Sequence, residues 1–277
     1  MYGKNQNRIF MKILLTNDDG YMAKGIAVMA SILKESGDVT VLAPKSPQSG
    51  MSMAVSMGGR PLAYRNMGMK DGVKWSYLDA TPASCVKLAL NTVFSEEKPD
   101  VVVSGINHGT NAASAVCYSG TLGAAAEAAL CGIPAIGVSL DTCDPDADFT
   151  SVEKYFPEIF RKLLGNQPER PGIYYNINFP ENGMAVRGVR IAVQGRGRWI
   201  REFMRYEGPS AAGPGEELFV ITGEFQDDPH NPENADHRLN RKGYITVVPH
   251  GIDCTDYSEA DRLRNLEIEN IIDYQHR

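Results

Sequence analysis

The chain has 277 residues, 43% of them hydrophobic and 22% charged, enough to bury a full core in one large domain or in one domain with an elaborated end. Its formal net charge of −6 argues against a broad nucleic-acid-binding face, which needs clustered Lys and Arg, and no apolar run reaches the roughly 18 residues of a membrane span. Five scattered cysteines without a Cys-x-x-Cys pair indicate neither a disulfide framework nor a zinc knuckle, and they fit a reducing cytoplasm.

Residues Met1 to Phe10 are polar and lack the apolar centre of a signal peptide; they read as an extension ahead of Met11, a candidate natural start. Short apolar runs then alternate with helical patterns. Strands are expected at Lys12–Thr16, Asp38–Ala43, Asp100–Ser104 and Pro134–Leu140, and helices at Gly25–Glu35, Pro82–Phe94, Thr121–Cys131 and Ser151–Leu164. That alternation predicts an α/β fold, a parallel sheet with helices on both faces. Thr81 before Pro82 reads as an N-cap and first helical position, and Gly132 followed by Pro134 as the stop of an alanine-rich helix.

After Gly172 the pattern changes to successive strands at Ile173–Phe179, Gly188–Val193, Glu217–Glu224 and Tyr244–Val248, with a polar Gly/Pro-rich stretch over 208–215. A last helix is expected from Ser258 to Tyr274, with Leu263, Leu266, Ile268, Ile271 and Ile272 as its apolar positions. The change places a boundary near Arg187, between a Rossmann-like unit over 11–187 and a strand-rich part over 188–277.

The residues that carry chemistry cluster at predicted strand ends, where open parallel sheets bind ligands. Asp18 and Asp19 follow the first strand. Two adjacent carboxylates repel unless a cation or donor offsets them, and oxygen ligands favour Mg²⁺, Mn²⁺ or Ca²⁺ over zinc. Asn17, Asp18 and Gly20 also suit a tight turn, and that reading stands beside the metal one. Further oxygen donors lie after the second strand, at Ser49 and Gly50, and after the third, at Ser104, Asn107, Gly109 and Asn111. Ser119, Gly120 and Thr121 open a helix of small residues. On its own that pattern reads first as an N-cap before a tightly packed helix. Beside the Asn107 loop it becomes a candidate phosphate site, since free amides and the dipole at a helix start attract anions.

No Gly-x-Gly-x-x-Gly follows the first strand, which argues against a non-catalytic dinucleotide-binding module. The histidines show no pair at metal-ligand spacing, and His108 flanks Asn107 within possible reach of a substrate. Arg196, Arg198 and Arg201 cluster around Trp199, a grouping that by itself also suits nucleic acid.

Six segments, "ILLTNDDGYMAKGI", "VLAPKSPQSG", "VVVSGINHGTN", "YSGTLGAAAEAALCGIPAIGVSL", "NINFP" and "GYITVVPHGID", together resemble the survival protein SurE family of metal-dependent nucleotidases, in the family's order from Met11 to about Asp256. The resemblance implies a Rossmann-like domain, a C-terminal part and terminal helix used in oligomerisation to a homodimer or tetramer, and hydrolysis of nucleoside monophosphates to nucleoside and phosphate, with short polyphosphate as a further substrate. It assigns one divalent cation per subunit, Mn or Mg, to Asp18, Asp19, Ser49 and Asn107. Asn107, Gly109, Asn111, Ser119, Gly120 and Thr121 are the expected phosphate contacts, and Asp19 is the candidate for taking a proton from an attacking water. No nucleic-acid duplex or membrane partner is expected. The sequence departs from the family's pattern at Ala80 and Ser84, flanking Thr81-Pro82, and at Val248-Pro249-His250.

Overall fold

The computed structural model describes residues 10–208, 213 and 215–266. The expected extension lies largely outside these residues, as does the end of the expected last helix from residue 267 onward.

Nine strands form one sheet in the order β3-β4-β2-β1-β5-β6-β7-β13-β8. Its centre is parallel: β4 (Val73–Leu78), β2 (Gly37–Pro44), β1 (Met11–Thr16), β5 (Val101–His108), β6 (Ala135–Leu140) and β7 (Ile173–Phe179). The edges depart from that direction. β3 (Tyr64–Lys70) runs antiparallel to β4, and β13 (Tyr244–Gly251) antiparallel to β7, with β8 (Gly188–Ile191) parallel to β13. The sheet therefore continues across Arg187, taking two strands from the C-terminal part.

Side-chain alternation along the strands splits the core in two. On one face Ile13, Leu15, Val39 and Val103 pack against α1 (Lys24–Leu33) and α4 (Thr150–Leu164), through Ile26, Met29, Phe156 and Phe160. On the other Leu14, Leu42 and Val102 meet α2 (Pro82–Asn91) and α3 (Gly120–Leu130), through Val86, Leu90, Leu122 and Ala125. The end signals hold: Thr81 accepts from the Ser84 amide at the start of α2, and Gly132, at φ +74°, follows the last turn of α3.

Three differences from the expected elements have physical causes. β5 continues past Ser104 to His108 through a register shift between Ser104 and Asn107, which keeps the Asn107 segment on the sheet. The sequence does not show the β3–β4 pair because β3 is exposed throughout and has no apolar alternation. The single strand expected over Glu217–Glu224 is two, β11 (Phe219–Ile221) and β12 (Glu224–Asp227), divided at Gly223 with φ +129°. They pair with β10 (Phe203–Arg205) and β9 (Gly197–Ile200) to make a two-part arm. α5 (Asp236–Arg241) leads back into β13, and α6 (Tyr257–Arg264) forms the start of the last expected helix, giving way to a turn at Asn265 and Leu266. No helix among the described residues is long and apolar enough to cross a membrane.

Candidate active site

Strand order reverses between β1 and β5, and the residues singled out at strand ends meet there. The turn after β1 is fixed by Asn17, whose Oδ1 accepts from the Gly20 amide at 3.2 Å and whose Nδ2 donates to the Gly20 carbonyl at 2.9 Å. The turn and the site are thus the same structure: Asn17 shapes the loop that presents Asp18 and Asp19.

The two carboxylates face different neighbours. Asp18 is 3% exposed and points at α3, where Thr121 Oγ1 donates to its Oδ1 at 2.5 Å. Burial pushes its pKa up to about 6; the Thr121 hydrogen bond works against that and the charge of Asp19 adds to it. Asp19 instead faces the end of β5, its Oδ2 accepting from the His108 amide at 3.1 Å and from His108 Nδ1 at 3.0 Å. That hydrogen bond raises the His108 pKa, burial opposing it. The ring lies edge-on to Phe149 at 5.3 Å between centroids. His108 therefore orients Asp19, a contact that nothing in its sequence neighbourhood shows.

The remaining candidates lie on the loops that touch this pair through Gln48, His108 and Thr121. The loop after β2 is lashed to it by the Gln48 amide, which donates to the Asp18 carbonyl at 2.7 Å, and to the α3 region by the Ser52 amide, which donates to the Tyr118 carbonyl at 2.9 Å. Ser49, itself exposed, is held between those two anchors. Asn107 Nδ2 donates to the Gly109 carbonyl at 2.7 Å, leaving its Oδ1 unengaged among the described residues. Asn111 is turned inward, its Nδ2 donating to Ser139 at 2.7 Å while its carbonyl accepts from Asn176, so it braces the loop.

Gly120 sets the spacing between α3 and Asp18. A Cβ there would lie 2.9 Å from Asp18 Cβ, 3.0 Å from its Oδ2 and 3.2 Å from the Gln48 carbonyl, so only glycine lets the helix start come this close. Ser119 caps the helix, accepting from the Leu122 amide at 3.1 Å. Thr121, expected among the phosphate contacts, spends its hydroxyl on Asp18.

The donor set fits a hard divalent cation. Asp18, Asp19, Ser49 and Asn107 can each offer oxygen, and the hydrogen bonds that Asp18 receives do not outweigh its burial, which leaves room for a cation. No three His, Cys, Asp or Glu side chains come together as metal ligands among the described residues, so neutral oxygens and water would complete the shell.

Against known proteins, the family described as survival protein SurE matches residues 13–201. A 5′-nucleotidase SurE from Phocaeicola vulgatus is 40% identical over 93% of this chain and 97% of its own, and one from Bacteroides fragilis is 38% identical over 92% and 97%. The crystal structure of the SurE protein from Aquifex aeolicus superposes with a TM-score of 0.76 at 31% identity, covering 92% of this chain and 99% of that one. A turn that buries Asp18 under a glycine-started helix at the switch point, together with relatives similar over nearly their whole length, leads to one statement: the chain belongs to the survival protein SurE family.

Proposed function

We propose that this protein is a divalent-cation-dependent phosphomonoesterase that hydrolyses nucleoside 5′-monophosphates to nucleoside and phosphate, with short polyphosphate as a second substrate. The observation that carries the reading is the position of Asp18, a carboxylate buried directly beneath the start of α3. The start of α3 and the Thr121 hydroxyl offset only part of that charge against burial; a cation would offset the rest and would also attract a phosphate.

One cation per subunit, Mn or Mg, held by Asp18, Asp19, Ser49 and Asn107, would supply positive charge against the phosphoryl oxygens. The Gly120 amide at the start of α3 takes another anionic oxygen, whereas the Gly109 amide is already spent on the Leu140 carbonyl. Asp19 Oδ2 is occupied by both His108 hydrogen bonds, so Oδ1 is the atom left to face the cation and the water it would hold. Both carboxylates are pinned, Asp18 by Thr121 and Asp19 by His108, which disfavours a carboxylate nucleophile and an aspartyl phosphate. Water is the attacking group in this reading. The bare apolar surface of the arm supports a homo-oligomer, and family membership supports a cytoplasmic setting.

Phosphate release from a panel of nucleoside monophosphates, with chelator and after restoring Mn²⁺ or Mg²⁺, tests the reaction. Activity that survives exhaustive chelation would defeat the cation assignment. Hydrolysis of a nucleotide whose phosphorus is made chiral with sulfur and oxygen isotopes tests the route. Inversion at phosphorus supports direct attack by water, and retention, the outcome of two displacements through an aspartyl phosphate, would overturn it.

A further inference from the structure

A cavity of about 720 Å³ opens beside Asp19, within the range of small-molecule sites. Its walls come from the ends of four adjacent strands: Lys45 and Pro47 follow β2, Asp19 and Met22 follow β1, His108 ends β5 and Pro145 follows β6. It lies on the α1 and α4 side of the sheet, whereas the amides opening α3 lie on the other side, with Asp18 facing α3 and Asp19 facing the cavity. A phosphate seated against Asp18, Asp19 and α3 would thus send its alcohol portion into this space.

Two lysines line it and differ in their freedom. Lys24 donates to the carbonyls of Asp146 at 2.8 Å and Ala147 at 2.9 Å, a clasp that ties α1 to the loop before α4 and fixes the cavity's outer wall. Lys45 is exposed, and its ammonium makes no hydrogen bond or ion pair among the described residues. Met22, 80% exposed, stands with Pro47 and Pro145 as apolar surface that a planar ring would cover.

We propose that this cavity is the nucleoside subsite and that Lys45 makes it select purines bearing an oxygen at position 6. The inference rests on the nucleotidase reading of the same site. An ammonium offers three donors and no acceptor. Guanine and hypoxanthine meet it with two acceptors, N7 and O6, whereas adenine places an amino donor at position 6. Pyrimidines lack the ring that carries N7 and cover less of the apolar wall.

The test is kcat/KM of the full chain, with Mn²⁺ or Mg²⁺ present, for guanosine, inosine, adenosine and uridine 5′-monophosphates and for ribose 5-phosphate, in the unaltered protein and in Lys45→Met. The guanosine and inosine nucleotides should exceed the adenosine nucleotide by about tenfold, the scale of one good base contact. Lys45→Met, at an exposed position, should bring that ratio close to one, mainly through KM. A ratio already near one in the unaltered protein, or one that Lys45→Met leaves in place, overturns the inference while hydrolysis itself upholds the nucleotidase reading. Release of phosphate from none of the substrates overturns both.

Discussion

At the scale of single residues, Gly120 and Asp18 are the most sensitive positions. Gly120→Ala would push a methyl group into Asp18 and the Gln48 carbonyl, atoms that are backbone or buried. Activity should fall at least about a hundredfold while circular dichroism stays native, because the error is a displacement of well under 1 Å at the charge centre. Near-native kcat in that variant would mean that the spacing of α3 and Asp18 is irrelevant. Asp18 also couples cation binding to stability. Its folded pKa, raised to about 6 mainly by burial, lies above that of the unfolded chain, so the folded state binds the proton more tightly. In the cation-free protein, stability should therefore drop as pH rises from about 4 through about 6, by up to roughly 3 kcal/mol. Asp18→Asn should abolish that drop, raise the cation-free Tm and sharply weaken cation affinity. Calorimetric melts across the pH range, with and without chelator, measure all three; a flat profile in the unaltered protein would contradict the burial effect.

At the scale of elements, a latch joins the arm to the body. Asp227 on β12 accepts from His237 Nε2 at 2.7 Å and from Arg238 Nε at 2.9 Å, both on α5. Asp236 is fully buried and accepts from the amides of Ala113 and Gly195, tying the base of the arm to the 3-10 turn (Ala113–Cys117) that precedes α3. Burial lowers the His237 pKa, but the hydrogen bonds its ring donates to Asp236 and Asp227 outweigh it and the net shift is upward. Burial works against the Asp227 charge too, yet Asn231, Arg238 and His237 hold its pKa at about 2, so it stays ionised throughout the neutral range. For a histidine raised on folding, the stabilisation is complete below its unfolded pKa of about 6.5 and is lost as pH rises through the higher folded value. Limited proteolysis should therefore cut the arm over 197–227 faster above that range than at pH 6, and His237→Ala should cut fast at both. Equal rates at the two pH values in the unaltered protein would remove the latch.

At the scale of the molecule, the outer half of the arm cannot stand alone. Phe203 pairs across from Ile221, and these side chains are 68% and 78% exposed; Phe219 on the same face is also more than half exposed. A two-stranded ribbon with bare aromatic and aliphatic surface is marginal in water, so a second copy of the chain is its expected cover. Light scattering at micromolar concentration should give a mass of at least twice 30.3 kDa, and Phe203→Ser with Ile221→Ser should shift it downward. A monodisperse monomer in the unaltered protein would refute the assembly.

The sequence by itself determined the parallel core, because apolar runs such as Ile13–Leu15 and Val101–Val103 alternate with helices whose caps, Thr81 and Gly132, are chemically unambiguous. It also marked Asp18, Asp19, Asn107 and Gly120, since polar or glycine residues at the ends of apolar strands have no packing reason to be there. The exposed strand β3 and the broken arm stayed hidden, because their pairing depends on Gly68, Arg201 and Gly223 backbone conformations and on partners distant in sequence rather than on periodicity. Only the tertiary structure decided which way each candidate faces. It set Asp18 under α3 and Asp19 against His108, turned Asn111 inward to Ser139, and opened a cavity between loops from four strands. Those outcomes come from strand order and close approach in space, which adjacency along the chain does not encode.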